Sequence, residues 1–171
     1  MKSIAVRSAR AGDIDEIVRI ARSYPRMNRY EHESSVGFLV SDYQASDYLK
    51  HLDSASIFLV ALESNKIVGF LLSYPCTETE DISIKERIAA YKHDKCILIK
   101  QICVDADTAG KGVGKTLYEH LFSIYPGYIF FAAIVTRPRN LASIKFHENL
   151  GFGNLFSFTP EDGIERGMWK L

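Results

Sequence analysis

The segment from Ala109 to Thr116, with the sequence AGKGVGKT, constrains the fold of this chain more than any other. It follows an apolar strand pattern and precedes a helical pattern, so that glycines stand where a helix begins. Glycine lets backbone N–H groups approach an anion closely, and the positive end of the helix dipole adds to the attraction. The sequence therefore predicts a phosphate-binding loop between a strand and a helix. A glycine-rich turn that only packs closely on a strand is the alternative.

One kind of protein with such a loop is the P-loop nucleotide triphosphatase. The segment fits a relaxed form of that motif, with Ala109 in place of the first Gly, Lys115 on phosphate oxygens and Thr116 on magnesium. A polar run at 105–108 separates the loop from its strand, and no later apolar strand ends in a metal-binding Asp. The chain after Thr116 is also too short for the rest of a doubly wound sheet. ATP binding is therefore the remote alternative.

Hydrophobic periodicity along the chain predicts an α+β fold with a mixed, mostly antiparallel sheet flanked by helices. The expected order is strand, helix, helix, three strands, helix, strand, helix and a closing strand, with an inserted helix near 82–92. The two residues Ser64 and Asn65 form a turn signal between two apolar runs, which predicts a hairpin. The predicted strands are 4–10, 56–63, 66–74, 96–104 and 128–136, with a final hairpin from 154–159 and 165–171; the predicted helices begin at 14, 42, 112 and 141.

Three features in this order resemble the GCN5-related N-acetyltransferase (GNAT) superfamily: Ile102-x-Val104 at a strand end, Gly112-x-Gly114 opening a helix, and Asn140 to Phe152 with the sequence NLASIKFHENLGF. The motifs cover roughly Ile97 to Phe152, and the order of elements over the whole chain is compatible with the family's fold. The resemblance implies one domain over 1–171 that transfers an acetyl group from acetyl-CoA to a primary amine of a small molecule, an amino acid or a protein, by direct attack. A non-catalytic sensor that binds CoA or acyl-CoA is the alternative.

The resemblance also implies how acetyl-CoA is held. In such proteins the strand ending at Val104 splays from its neighbour, and unpaired N–H groups at Ile102, Cys103 and Val104 bind the pantetheine arm and the acetyl carbonyl, like a small oxyanion hole. Ala109 stands where the family usually has Gln or Arg, which removes one side-chain donor. Asn140 is expected to reach the pantetheine arm, to cap its helix, or both. The pyrophosphate would lie on the loop formed by Ala109, Gly110, Lys111, Gly112, Val113, Gly114 and Lys115.

His147 stands where many relatives have a tyrosine and some a histidine. The role implied is to hydrogen-bond the sulfur of CoA and, as an imidazolium near neutral pH, to protonate the leaving thiolate. A packing or surface histidine is the alternative. Cys103 lies at the proposed donor site, but no partner that would activate its thiol is evident, so we expect it to pack.

The acceptor side is less well defined by the sequence. An amine nucleophile must lose a proton, yet the strand ending at Val104 carries no carboxylate, so the base is not assignable. Candidate bases are Asp105, His93, His32 and Glu31, each with a solvated surface residue as the alternative. The segment 26–43 is rich in Tyr, His and Arg, and the resemblance places it over the acceptor; a plain packed loop is equally compatible. The residues expected to contact substrate are Arg29, Tyr30, His32 and Tyr43.

The insertion from Thr77 to Asp94 is long for a connection within a hairpin, so it either walls the acceptor cleft or contacts a second subunit. The oligomer is expected to be a monomer or a homodimer.

Composition limits the partners. Lys plus Arg and Asp plus Glu number 21 each, so no net field favours nucleic acid or an anionic membrane. The apolar runs are much shorter than the roughly 20 residues that span a bilayer, and the N-terminal residues lack the pattern of a signal peptide, so a cytoplasmic location is expected. Three cysteines without a CxxC spacing predict neither a disulfide framework nor a zinc site, and no metal cofactor is expected.

Overall fold

The structure is a computed structural model that describes residues 3–54, 56–91 and 94–171. These residues form two compact units. Unit 1 contains Met1–Tyr24, Ser41–Tyr74 and Lys100–Gly127, and unit 2 contains Pro25–Val40, Pro75–Ile99 and Tyr128–Leu171. The single domain over 1–171 stays a prediction.

All predicted helices and strands are present, with ends shifted by a few residues, and two very short strands are added. The helices are α1 (Ile14–Ser23), α2 (Ala45–Leu52), α3 (Ile82–Ala89), α4 (Val113–Ile124) and α5 (Leu141–Asn149). The strands are β1 (Ile4–Ser8), β2 (Glu33–Ser34), β3 (Ile57–Glu63), β4 (Lys66–Pro75), β5 (Cys96–Val104), β6 (Ile129–Val135), β7 (Arg139–Asn140), β8 (Gly153–Phe158) and β9 (Arg166–Lys170).

The sheet of unit 1 has the order β1-β3-β4-β5, with β3 antiparallel to both β1 and β4. Ser64 and Asn65 both adopt positive φ, at 50° and 63°, as a two-residue hairpin turn of this type requires. The predicted hairpin is confirmed. Tyr48 of α2 is fully buried, and its ring lies 6.0 Å from that of Phe58 and 5.7 Å from that of Phe70. These aromatic contacts fasten α2 to the hairpin.

The sheet of unit 2 has the order β5-β6-β9-β8. β5 and β6 are parallel, and their pairing ends at Ile99 and Ala132; β9 is antiparallel to both β6 and β8. The predicted tail hairpin is therefore confirmed, and the prediction of a mixed, mostly antiparallel sheet holds. β2 and β7 form a separate parallel pair of two residues each, which no periodicity could have predicted.

The inserted helix α3 is shorter than predicted. Asp81 caps it by accepting the N–H groups of Ser83 and Ile84. The guanidinium of Arg87 lies 5.4 Å from the ring centre of Phe156 on β8, so the insertion packs against the sheet of its own unit. Among the helices of the described residues, none is long and apolar enough to cross a membrane.

Candidate active site

The loop between β5 and α4 presents bare backbone at a helix N-terminus. Gly110 and Gly112 have φ of 76° and 83°, in the left-handed region that favours glycine. A Cβ atom at either position would meet nothing within 4 Å, so both face open space. In the part of the chain that the structure describes, no side chain caps α4, which leaves its first-turn N–H groups available to an anion. This geometry fits a pyrophosphate.

The polar side chains of the loop are engaged locally. Lys111 Nζ donates to the carbonyl of Asp107 at 2.7 Å, and Lys115 Nζ lies 3.6 Å from a carboxylate oxygen of Glu119. The hydroxyl of Thr116 donates to the carbonyl of Gly112 at 3.1 Å, so it is turned back on its own helix and not toward a magnesium ion. The described residues contain no cluster of three or more His, Cys, Asp or Glu that could hold a metal. Anion binding at this loop would therefore rest on backbone groups.

Tyr24 occupies the backbone groups that the sequence assigns to the acetyl donor. Its hydroxyl accepts the N–H of Val104 at 2.9 Å and donates to the carbonyl of Val104 at 3.0 Å. Burial raises the pKa of this phenol, so the hydroxyl of Tyr24 stays protonated at neutral pH and can donate its hydrogen bond. The expectation of an unpaired N–H at Val104 is therefore wrong, because this N–H already donates a hydrogen bond to the hydroxyl of Tyr24. Ile102 and Val104 are half-buried, and Cys103 between them is fully buried, as expected for packing.

Asp105 is tied to α1 and makes a poor base. Its carboxylate pairs with the guanidinium of Arg19 and also accepts the N–H of Asp107. The hydrogen bond from Arg19 holds the pKa of Asp105 below its usual range, against the opposing effect of burial. Its role in the structure is to fix the start of the loop.

Tyr43, a predicted substrate contact, lies in unit 1 and packs there. Its ring meets that of Tyr48 edge to face at 5.5 Å, and Lys100 Nζ lies 5.9 Å from its centre. The hydroxyl of Tyr48 donates to Gln101 Oε1 at 2.8 Å, which satisfies the buried amide of β5.

Asn140 begins α5 in unit 2 and is buried. Its Oδ1 accepts the N–H of Ser143, and its Nδ2 donates to the carbonyl of Phe38. The helix-cap interpretation is confirmed, and the contact with the pantetheine arm stays a prediction.

His147 on α5 is only 2% exposed. Its Nδ1–H donates to the carbonyl of Ser143 at 2.8 Å, and Phe146 and Phe152 both contact its ring edge to face at 5.3 Å. Burial among these rings lowers the pKa of His147 to about 4. The expectation of an imidazolium near neutral pH is wrong, because the cost of desolvating the charge exceeds the gain from one hydrogen bond.

Unit 2 also contains a cavity of about 540 Å³. It brings together Arg29, Glu31 and His32 of the predicted acceptor segment, whereas Tyr30 is 97% exposed and is not among the lining residues. Its apolar side is Ile164, which packs in a buried cluster with Phe38 and Val135. The candidate base His93 lies outside the described residues. The lining residues are Met27, Arg29, Glu31, His32, Glu33, Thr136, Arg137, Pro138, Arg139, Gly163 and Ile164.

Sequence reasoning missed Arg137 and Arg139 in this cavity, and it missed Tyr24. For the arginines a signal existed: they flank Pro138 directly after an apolar strand. For Tyr24 there was none, since an aromatic residue at a helix end is equally compatible with plain packing.

Comparison with known proteins identifies the architecture. Residues 14–152 match the sequence profile of the Acetyltransferase (GNAT) family. The chain belongs to this family. GNAT membership supports an acetyltransferase, and it replaces the P-loop alternative for the glycine loop. Comparison with curated protein sequences gives no significant match.

Solved structures confirm the predicted GNAT fold. The smu.2055 protein from Streptococcus mutans UA159 is 17% identical with a TM-score of 0.71, and the match covers 98% of each chain. The ribosomal-protein-S18-alanine N-acetyltransferase from Escherichia coli is 15% identical with a TM-score of 0.67, over 99% of this chain and 93% of that one. NAA60 of Arabidopsis thaliana, in complex with acetyl-CoA, is 14% identical with a TM-score of 0.69, over 99% and 98%. At these identities the similarity shows the fold alone.

Proposed function

We propose that this GNAT protein transfers an acetyl group from acetyl-CoA to a primary amine of a small molecule, an amino acid or a protein. The observation that carries the proposal is the uncapped N-terminus of α4 behind Gly110 and Gly112, whose left-handed backbone opens the loop to an anion. The complex of NAA60 with acetyl-CoA supports the choice of donor. The name of the Escherichia coli enzyme supports an amine as the acceptor.

In this proposal the amine nitrogen attacks the thioester carbonyl carbon, so that a C–N bond forms and the C–S bond breaks. The ammonium first loses one proton to a base; after the attack the nitrogen loses a second proton and the departing thiolate takes one up, so that the products are the amide and the free thiol of CoA. The loop from Ala109 to Lys115 holds the pyrophosphate through backbone N–H groups. The N–H of Val104 polarises the carbonyl once the hydroxyl of Tyr24 is displaced. Bound acetyl-CoA supplies the activated acetyl group.

Glu31 and His32 are the base candidates that the proposal retains, because both line the cavity of unit 2. His147 retains at most a hydrogen-bonding role at neutral pH, since its imidazole is uncharged there. The proton for the thiolate then comes from another group or from water.

The test is thermal stabilisation of the purified protein by acetyl-CoA, by free CoA and by magnesium ATP. A ligand that binds only the folded state adds about 2.7 kcal/mol of stability at a hundred times its Kd. We expect acetyl-CoA to raise the melting temperature of the wild type and Gly112→Asp to abolish the rise. The matched control is Gly127→Asp, because Gly127 also has positive φ, at 76°, and faces open space. Stabilisation by magnesium ATP alone, or a full response of Gly112→Asp, would refute the proposal.

A second candidate is a non-catalytic sensor that binds CoA or acyl-CoA. Three observations favour it: the hydroxyl of Tyr24 accepts the N–H of Val104, Arg19 pairs with the carboxylate of Asp105, and the imidazole of His147 is neutral. An enzyme releases free CoA with some member of an amine panel. A sensor is stabilised by acetyl-CoA but releases none.

A further inference from the structure

The cavity of unit 2 is lined by groups of both charges. Three arginines, Arg29, Arg137 and Arg139, line it together with Glu31 and Glu33. A cavity of about 540 Å³ has the size of a small-molecule site. A charged side chain without a partner inside the protein can bind a ligand of opposite charge, so the partners of each arginine indicate what the cavity can bind.

Two of the three arginines are near acidic groups of the protein. Arg137 Nε lies 3.4 Å from a carboxylate oxygen of Glu165. Hydrogen bonds from Arg166, at 2.9 and 2.7 Å, are the main cause that lowers the pKa of Asp162, and the charge of Arg29 adds a smaller effect in the same direction. Both guanidinium groups are therefore partly neutralised by neighbours.

Arg139 is the exception. Its backbone N–H donates to the carbonyl of His32 at 2.8 Å, which fixes the residue on β7. Within residues 3–54, 56–91 and 94–171, its guanidinium has neither an ion pair nor a hydrogen bond. A guanidinium is a planar fork that matches a carboxylate through two parallel hydrogen bonds. Arg139 is thus available to an anionic group of a ligand.

The two glutamates determine which anion fits. Glu31 accepts a hydrogen bond from Asn28 at 3.3 Å, and Glu31 and Glu33 both line the cavity. A doubly charged phosphate beside them would be repelled, whereas a singly charged carboxylate that comes with an ammonium group satisfies both signs. The apolar side of Ile164 and Met27 accommodates the carbon skeleton.

We infer that the acceptor is an amine that also carries a carboxylate, and that Arg139 binds this carboxylate. The inference rests on the proposed acetyl transfer and narrows its substrate to amino-acid-like amines. Arg139 is a specificity residue here, since it recognises a group that does not react.

The test uses pairs of amines that differ only in the carboxylate: lysine and cadaverine, histidine and histamine, tyrosine and tyramine, arginine and agmatine. For at least one pair we expect the KM of the carboxylate-bearing member to be about tenfold lower, the effect of one charged hydrogen-bonded pair. Arg139→Gln should remove this advantage, with kcat changed less than KM and with the decarboxylated partner unaffected. The control is Lys95→Gln, which removes an exposed cation of unit 2 outside the cavity.

A binding measurement separates this inference from the proposed function. The same amines are titrated calorimetrically into wild type, Arg139→Gln and Lys95→Gln without acetyl-CoA. Carboxylate-dependent binding that Arg139→Gln abolishes supports the inference even if no CoA is released, in which case only the acetyl transfer fails.

CoA release with equal KM values within each pair, unaffected by Arg139→Gln, overturns the inference and leaves the acetyl transfer intact. The absence of Arg139-dependent binding and turnover for all four pairs also overturns it. Tighter binding of phosphoethanolamine than of every carboxylate-bearing amine would overturn the inference, because the cavity would then prefer a phosphate to a carboxylate.

Discussion

Burial of a neutral His147 makes the stability of the protein depend on pH. The pKa of this imidazole is about 4 in the fold, against about 6.5 in an unfolded chain. As the pH falls below 6.5, His147 binds a proton in the unfolded state, whereas in the folded state it does so only near pH 4. The stability is therefore complete above 6.5 and is lost through the window from 6.5 to 4. The difference between the two pKa values corresponds to about 3 kcal/mol over the window and to about 2 kcal/mol at pH 5.

The assay is urea unfolding at pH 7.5 and pH 5.0 for the wild type and His147→Gln. The variant is expected to be less stable at pH 7.5, but its further loss at pH 5.0 should be smaller than the wild-type loss by about 2 kcal/mol. All other titrating groups are shared, so their contributions cancel in the difference. The control is His120→Gln, which removes a half-exposed histidine from α4. Equal pH-dependent losses in the wild type and His147→Gln would refute a neutral, desolvated imidazole.

Three further changes test other parts of the structure. Tyr24→Phe frees the N–H of Val104, so we expect calorimetry to show acetyl-CoA binding about fivefold tighter, the equivalent of one neutral hydrogen bond; unchanged affinity would show that the donor does not use this group. Arg19→Met removes the partner that holds the pKa of Asp105 low, so it should lower stability at pH 7 and cost progressively less as the pH falls and Asp105 becomes protonated; a loss in urea unfolding that does not depend on pH would contradict this ion pair. Gly69→Ala brings a Cβ within 3.0 Å of the carbonyl of Cys103 and of Val113 Cγ1, and should cost about 1–3 kcal/mol in urea unfolding, whereas Gly12→Ala, with nothing within 4 Å, should cost much less; equal costs would refute the steric argument.

The glycine loop between β5 and α4 could be predicted from the sequence, because its conformation requires glycine and its flanking elements show clear hydrophobic periodicity. Gly110 and Gly112 adopt φ values that other residues rarely adopt, and the apolar spacing before and after them marks β5 and α4. Local conformation and residue identity are linked directly at such positions.

The cavity of unit 2 could not be predicted, because its walls come from three separate segments. The residues at 27–33, 136–139 and 163–164 line one space, and β2 and β7, two residues each, are too short to leave a pattern in the sequence. The same holds for Tyr24, whose partner Val104 is 80 positions away. The position of His147 followed from a motif, but its charge did not, since desolvation depends on how Phe146 and Phe152 pack around it.

The burial of Cys76, Cys96 and Cys103 has a practical consequence for chemical labelling. Burial also raises the pKa of the Cys76 and Cys96 thiols, so both the access and the thiolate that a disulfide reagent needs are scarce in the folded protein. A colorimetric thiol reagent added during turnover should therefore count released CoA with little background from the protein. Without acetyl-CoA, the reaction of the cysteines with the same reagent at increasing urea concentration measures the unfolding that exposes them. Cys103 labels unit 1, whereas Cys76 and Cys96 label unit 2, so mass spectrometry of the adducts can time the opening of each unit separately.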